Sequence, residues 1–78
     1  MRIWVLIKVY ADDLDKVWNL NLKYCKERAR LVGDYDMMLK FDVPDLETFQ
    51  KELKKIKKYA YLTSTHTERG DEDVRGGD

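Results

Sequence analysis

The side chains that most often do catalytic chemistry are scarce in this 78-residue chain. His66 is the only histidine and Cys25 the only cysteine, and no CxxC, HxxxH or glycine-rich phosphate-binding loop occurs. Hydroxyl groups at Ser64, Thr65 and Thr67 lie beside His66 in the sequence, but neighbours on a strand point to opposite faces. We therefore expect His66 to be a strand or interface residue. The sequence predicts no enzyme, no metal site and no cofactor.

Two polar clusters near predicted strand ends suit a small ligand better than a reaction. One is residues 33–36, GDYD, between two alternating runs, and the other is residues 63–67, TSTHT. A turn that exposes backbone N–H groups beside Asp36 can receive a carboxylate and an ammonium group together, and a free amino acid carries both. A plainer interpretation stays open, in which Gly33 and Asp34 only form a turn and the threonines only favour a strand.

Hydrophobic periodicity predicts the elements that position these clusters. Residues 2–10 alternate as a strand whose two faces are both largely apolar. A helix is expected to follow, capped by Asp12 or Asp13 and ending near Lys26 or Glu27. Its apolar stripe has helical spacing and comprises Leu14, Val17, Trp18, Leu22 and Cys25.

Three further strands and a second helix complete the pattern. The strands are predicted at residues 28–32, 36–43 and 60–67, and the helix begins after Pro44 with Asp45 as its cap. The order β-α-β-β-α-β is that of the ferredoxin-like split βαβ motif, an α+β fold. It predicts a four-stranded antiparallel sheet with both helices on one face.

The other face of that sheet is predicted to bind a second copy of the chain. An apolar sheet face that no helix covers marks an interaction surface, and two such faces can pack together in a symmetric dimer. The predicted dimer-interface residues are Trp4, Leu6, Tyr10, Met38 and Tyr61.

Composition limits the remaining choices. The chain is long enough for one small domain, predicted at residues 1–67, and the acidic, glycine-containing residues 68–78 are expected to form a flexible tail. The single cysteine excludes an intramolecular disulfide and no apolar run is long enough for a membrane span, which indicates a cytoplasmic protein.

Lysines within residues 51–58 complement a helix dipole, and residues 36–43 lack the aromatic RNP1 motif of RNA-binding RRM domains. RNA binding is therefore the weaker alternative.

The segment LVGDYDMMLKFDVPDLETFQKEL, with the later STHT, resembles the C-terminal effector-binding (RAM) domain of the Lrp/AsnC transcription regulators. Gly33, Tyr35 and Asp36 match the glycine–aromatic–aspartate core of that family's pattern. The closing strand of the pattern is matched by Ser64, Thr65 and Thr67. The resemblance spans residues 1–67 in element order. It implies dimers formed through their sheets, octamer-like rings of dimers, and amino-acid effectors bound between dimers.

Carried over to this sequence, the resemblance implies a ligand-binding site made of Gly33, Asp34, Tyr35, Asp36, Ser64, Thr65 and Thr67. The helix-turn-helix domain of full-length members is not in this sequence, so a stand-alone form without direct DNA binding is expected, which joins full-length regulators. Two features depart from the family: KKYAYL replaces PGV before the last strand, and an acidic segment begins at Glu68. The function expected is amino-acid sensing coupled to assembly. The alternatives are a protein-interaction module without a ligand and an RNA-binding domain.

Overall fold

The computed structural model describes residues 1–68. Strand β1 spans Arg2–Val9, β2 Cys25–Arg30, β3 Met37–Asp42 and β4 Ala60–Thr67; helix α1 spans Leu14–Trp18, after a 3₁₀ turn at Ala11–Asp13, and α2 spans Leu46–Lys57. The strands form one antiparallel sheet in the order β2-β3-β1-β4. This order of elements is the predicted ferredoxin-like α+β fold, which the structure confirms.

One face of the sheet carries the core. Alternate residues of β1 and β3 are fully buried there, and Val17 of α1 joins the same cluster as Phe49 and Ile56 of α2. Both helices therefore cover this face, as the alternation predicted. The rings of Phe41 and Phe49 meet edge-on at 5.5 Å, which joins the sheet to α2. The buried strand residues are Ile3, Val5, Ile7, Val9, Met37, Leu39 and Phe41.

The first helix is much shorter than the sequence predicts. It ends at Trp18 instead of near Lys26 or Glu27, and Cys25 is the half-buried first residue of β2. Asp13 forms no side-chain capping bond, because a 3₁₀ turn leads into the helix.

Arg28 caps the carbonyl groups at the early end of α1. Its Nη1 donates hydrogen bonds to the carbonyl oxygens of Val17 at 2.8 Å and Trp18 at 2.6 Å, and its Nη2 donates to the carbonyl of Leu20. A continuing helix would have used these acceptors for its own N–H groups. The guanidinium therefore satisfies carbonyls that the helix leaves free where it ends, and the chain reaches β2 earlier than predicted.

The buried carboxylate of Glu52 holds the segment between α1 and β2 in place. Glu52 of α2 is 4% exposed, and its Oε1 accepts a hydrogen bond from the backbone N–H of Tyr24 at 3.1 Å. Its Oε2 lies 3.1 Å from the Nζ of Lys55. The Tyr24 carbonyl in turn accepts from the N–H of Asp42. The segment before β2 is therefore tied to both α2 and β3.

The β2–β3 hairpin is wider than a tight Gly-Asp turn. Residues 31–36 connect the two strands, which are shifted by one to three residues from their predicted bounds. Gly33 has φ of 129°, a conformation that residues with a side chain rarely adopt. Gly33 thus lies in the connection between the two strands, as predicted, although that connection is longer than predicted.

The far end of the described chain continues the sheet. The backbone N–H of Glu68 donates to the carbonyl of Arg2 at 3.0 Å, and their side chains form an ion pair at 3.5 Å. Apart from Glu68, the predicted flexible tail lies outside the described residues. Neither helix within residues 1–68 is long and apolar enough to cross a membrane.

The α2 cap gives a pH-dependent prediction. The Oδ1 of Asp45 accepts the Thr48 N–H at 2.8 Å, and the hydrogen bonds from Thr48 hold the pKa of Asp45 below its ordinary value. A carboxylate with a lowered folded-state pKa adds stability above its unfolded-state pKa and loses it as the pH falls through the folded value. We expect Asp45→Ala to lower the thermal midpoint at pH 7, with a gap to the wild type that narrows below about pH 4.

Thermal unfolding followed by circular dichroism from pH 3 to pH 7 measures that gap. The matched control is Asp12→Ala, which removes an exposed aspartate from the 3₁₀ turn. A gap for Asp45→Ala that stays constant across this range would contradict a charge-dependent cap.

Candidate functional site

Asp36 joins the β2–β3 hairpin to the end of β1 by hydrogen bonds. Its Oδ2 accepts a hydrogen bond from the Val9 N–H at 3.0 Å, and its own N–H donates to the Ile7 carbonyl at 2.9 Å. Its carbonyl accepts from the N–H of Leu31, also at 2.9 Å. This anchoring role was not predicted, because no local sequence pattern says which backbone group a carboxylate will meet.

One of the two carboxylate oxygens of Asp36 is available to another partner. Its second oxygen, Oδ1, accepts no hydrogen bond from any group in residues 1–68, and the residue is only half-buried. An oriented carboxylate with one open oxygen suits an ammonium group, since charge-assisted hydrogen bonds are the strong ones. The arrangement can therefore hold a cationic group at this end of the sheet.

The hairpin tip beside Asp36 is open to solvent. Gly33 and Asp34 are exposed and Tyr35 is half-buried, while Val32 is fully exposed. A Cβ built on Gly33 would have no atom within 4 Å. Glycine is thus required by the backbone angle and not by a close neighbour. The tip presents backbone groups and one aromatic ring to a ligand or a second chain.

The closing strand brings only part of its predicted residues near Asp36. Within β4, Thr63 lies opposite Ile7, whereas Thr65 lies opposite Val5 and Thr67 opposite Ile3. The Ile3 end of β1 is about 13 Å from the Ile7 end. In a single chain, therefore, Thr67 lies far from the hairpin, and only a site shared between chains can bring the two together. The register places Thr63, which was not predicted as a site residue, at the Asp36 end.

Ser64 and His66 form a pair that the sequence argument did not foresee. The Ser64 Oγ lies 2.8 Å from the His66 Nε2, on the side of β4 that pairs with Leu6 and Trp4. Comparing adjacent residues missed this pair, because residues two apart on a strand share a face. Catalytic triads need a further group that orients the histidine, and among residues 1–68 His66 has no such partner.

The face of the sheet away from the helices, called the open face below, has an apolar centre. Leu6 lies beside Met38 on one side and Ser64 on the other, and Trp4 is the next residue of β1 on that face. Trp4, Leu6 and Met38 are all half-buried within the chain. The Nζ of Lys40 lies 4.9 Å from the centre of the Trp4 ring. Three of the five predicted interface residues thus form one patch.

The other two predicted interface residues lie at the margin of the sheet. Tyr10 follows the end of β1 and is 66% exposed, and Tyr61 near the start of β4 is 56% exposed. Their ring centres are 4.8 Å apart. This position separates them from the centre of the open face.

A shallow cleft of about 270 Å³ lies at the opposite end of the sheet, beside a bulge in β2. Two of its five charged lining residues form ion pairs: Arg2 pairs with Glu68, and Asp42 lies 3.6 Å from the N-terminal ammonium of Met1. The cleft is lined by Arg2, Lys26, Glu27, Lys40, Phe41 and Asp42. In the described part of the chain, no three histidine, cysteine or acidic side chains are grouped to hold a metal ion.

Comparison with known proteins identifies the fold. No protein-family model and no curated protein matches the chain. Among solved structures, FFRP-DM1 aligns with a TM-score of 0.74 and 24% identity, over 83% of this chain and 93% of its own. LrpC of B. subtilis aligns with a TM-score of 0.72 and 23% identity, over 95% of this chain and 54% of its own.

PH0061 gives a TM-score of 0.73 with 26% identity, over 88% of this chain and 51% of its own. The chain has the fold of the Lrp/AsnC-type regulatory domain. It spans nearly all of FFRP-DM1 but about half the length of LrpC and PH0061. The resemblance inferred from GDYD and STHT is thereby confirmed for the fold, and the neighbours are regulatory proteins of Lrp/AsnC type.

Proposed function

We propose that this chain binds a free amino acid and assembles with copies of itself, as a small-effector module of Lrp/AsnC type. The observation that carries the proposal is the shared fold together with the Asp36 hairpin, which keeps one carboxylate oxygen open at the end of the sheet. The ligand's ammonium group pairs with that oxygen, and its carboxylate accepts hydrogen bonds from the exposed backbone of residues 33–35.

The complete site is proposed to lie between chains. Thr67 lies opposite Ile3, about 13 Å along β1 from the Ile7 end, and Thr65 lies opposite Val5, so we propose that a neighbouring chain brings these hydroxyl groups to the hairpin. A hydroxyl-bearing strand from a neighbouring chain can meet that hairpin without changing either fold. A site shared in this way links ligand binding to assembly, because the ligand stabilises only the assembled form.

The open face is proposed as the dimer interface. Leu6, Met38 and Trp4 give it an apolar centre, and a symmetric partner would bury the same patch on both copies. We propose that dimers assemble further into rings and join full-length Lrp/AsnC-type regulators. On this proposal the protein works in the cytoplasm by binding and catalyses no reaction.

Asp36 gives the direct test of the ligand. We expect at least one of the twenty standard amino acids to raise the thermal midpoint of the wild type, and Asp36→Asn to abolish that rise. Asparagine keeps an oxygen for the Val9 N–H but loses the negative charge that an ammonium group requires. A thermal-shift screen measures both proteins under identical conditions.

The control in that screen is Asp34→Asn, which removes an exposed acid from the same hairpin tip. An unchanged ligand shift in Asp36→Asn would remove Asp36 from the site. If no amino acid shifts the wild type, the chain is better described as an interaction module without a ligand. Retardation of single-stranded RNA that weakens with salt would instead support the RNA-binding alternative.

A further inference from the structure

The rings of two exposed tyrosines contact each other at the Asp36 end of the sheet. Tyr10 directly follows Val9, whose N–H binds the Asp36 carboxylate, and its ring lies 4.8 Å from that of Tyr61 with 38° between the planes. Both side chains are more than half exposed. The pair thus presents an aromatic surface to solvent near the Asp36 carboxylate, of which only one oxygen accepts a hydrogen bond within residues 1–68.

A bulge in β4 places Tyr61 there. Leu62 pairs with Lys8 and Ala60 pairs with Val9, so Tyr61 has no counterpart on β1. Bulges commonly re-aim a side chain next to a binding site, and here the extra residue is the one that meets Tyr10. The segment KKYAYL, which departs from the Lrp/AsnC pattern, supplies this residue.

Lys8 adds a positive charge to the same place. Lys8 is half-buried. The last pair between β1 and β3 is Ile7 with Met37; Lys8 follows Ile7 in the sequence, and Asp36 precedes Met37. Lys8 and Asp36 are therefore near neighbours across the two strands. Within the described residues they form no ion pair with each other at 4 Å or less. A zwitterionic ligand can engage both charges at once.

We propose that Lys8, Tyr10 and Tyr61 extend the Asp36 site and make it selective for amino acids with aromatic or large apolar side chains. This inference rests on the proposed function, since it names the class of amino acid bound there. The ammonium group binds Asp36, Lys8 attracts the carboxylate, and the side chain stacks on the Tyr10–Tyr61 pair.

The proposal moves both tyrosines from the dimer interface to the ligand site. Tyr10 lies about 13 Å along the chain from Leu6, at the margin of the sheet and not at the apolar centre of the open face. A ligand with a small side chain would leave the two rings in water. A ligand with an aromatic side chain removes apolar surface of both rings from water.

Titration calorimetry of the full chain with L-phenylalanine and with glycine tests the selectivity. We expect phenylalanine to bind at least tenfold more tightly than glycine, and Tyr61→Ala to weaken phenylalanine binding by about tenfold while leaving glycine binding unchanged. Tyr10→Ala, made separately, should act in the same way. Leu46→Ala is the matched control, because it truncates an exposed residue on α2 away from the site.

The outcomes separate this inference from the proposed function. Equal affinity for phenylalanine and glycine, or an unchanged preference in both tyrosine variants, overturns the aromatic site but leaves amino-acid binding in place. A lower solution mass for Tyr61→Ala or Tyr10→Ala, without loss of the preference, returns the tyrosines to the subunit interface and also overturns it. If no amino acid binds the wild type, the proposed function and this inference fail together.

Discussion

Replacing Leu6 with aspartate is expected to halve the mass of the protein's smallest assembly in solution. Leu6 lies between Met38 and Ser64 at the centre of the open face and is half-buried within one chain. A symmetric partner would cover it completely on both copies. An unpaired carboxylate buried in this way costs several kcal/mol per chain, which is enough to dissociate a dimer of ordinary affinity.

Light scattering coupled to size-exclusion chromatography measures that mass. Leu46→Asp is the matched control, since it places the same charge at an exposed leucine in the first turn of α2. An acidic residue there suits the helix dipole, so neither fold nor mass should change. If Leu6→Asp keeps the wild-type mass and remains folded, the open face is not the dimer interface.

Replacing Arg28 with methionine is expected to lower the free energy of unfolding by roughly 3 kcal/mol. Methionine keeps an unbranched apolar stem but removes the hydrogen bonds that the guanidinium donates to the Val17, Trp18 and Leu20 carbonyls. Those carbonyls then lose a charged partner in a partly buried position. The loss is a large fraction of the total stability of a small domain.

Urea unfolding compares this variant with Arg30→Met on the same strand. Arg30 forms an exposed ion pair with Asp15 at 2.8 Å and lies 4.8 Å from the Trp18 ring centre. An exposed contact of this kind is worth about 1 kcal/mol or less, so Arg30→Met should be the milder change. Equal losses in the two variants would show that Arg28 does not anchor the end of α1.

The fold followed from the sequence because alternation is a local signal. Ile3, Val5 and Ile7 point into the core as their spacing predicted, and the cap at Asp45 matched the local preference for aspartate. The order of the predicted elements gave the topology, and the fold implied by the resemblance to Lrp/AsnC regulators agrees with the solved structures.

The errors have a common physical cause in long-range contacts. The apolar spacing from Leu14 to Cys25 fits a helix, but the helix ends at Trp18, where Arg28 from a later strand binds its terminal carbonyls. The spacing alone cannot reveal that contact. The predicted C-terminal end of α1 was therefore wrong, although a helix at this place in the chain was correctly predicted.

The candidate site was predicted only in part for the same reason. The motif gave Asp36, but its contact with Val9 depends on how β1 and the hairpin meet. The register of β4 decides that Thr63, and not Thr67, lies at the Asp36 end. The contact between the Tyr10 and Tyr61 rings depends on a bulge that no turn signal marks.

Native mass spectrometry of the full chain, with and without a mixture of the twenty amino acids, tests the central claim most directly. The chain has a mass of 9.3 kDa. Binding coupled to assembly predicts species with even numbers of chains, with added mass that equals one amino acid per site and a shift toward larger assemblies when the mixture is present. A 9.3 kDa monomer without added mass under both conditions would contradict the account.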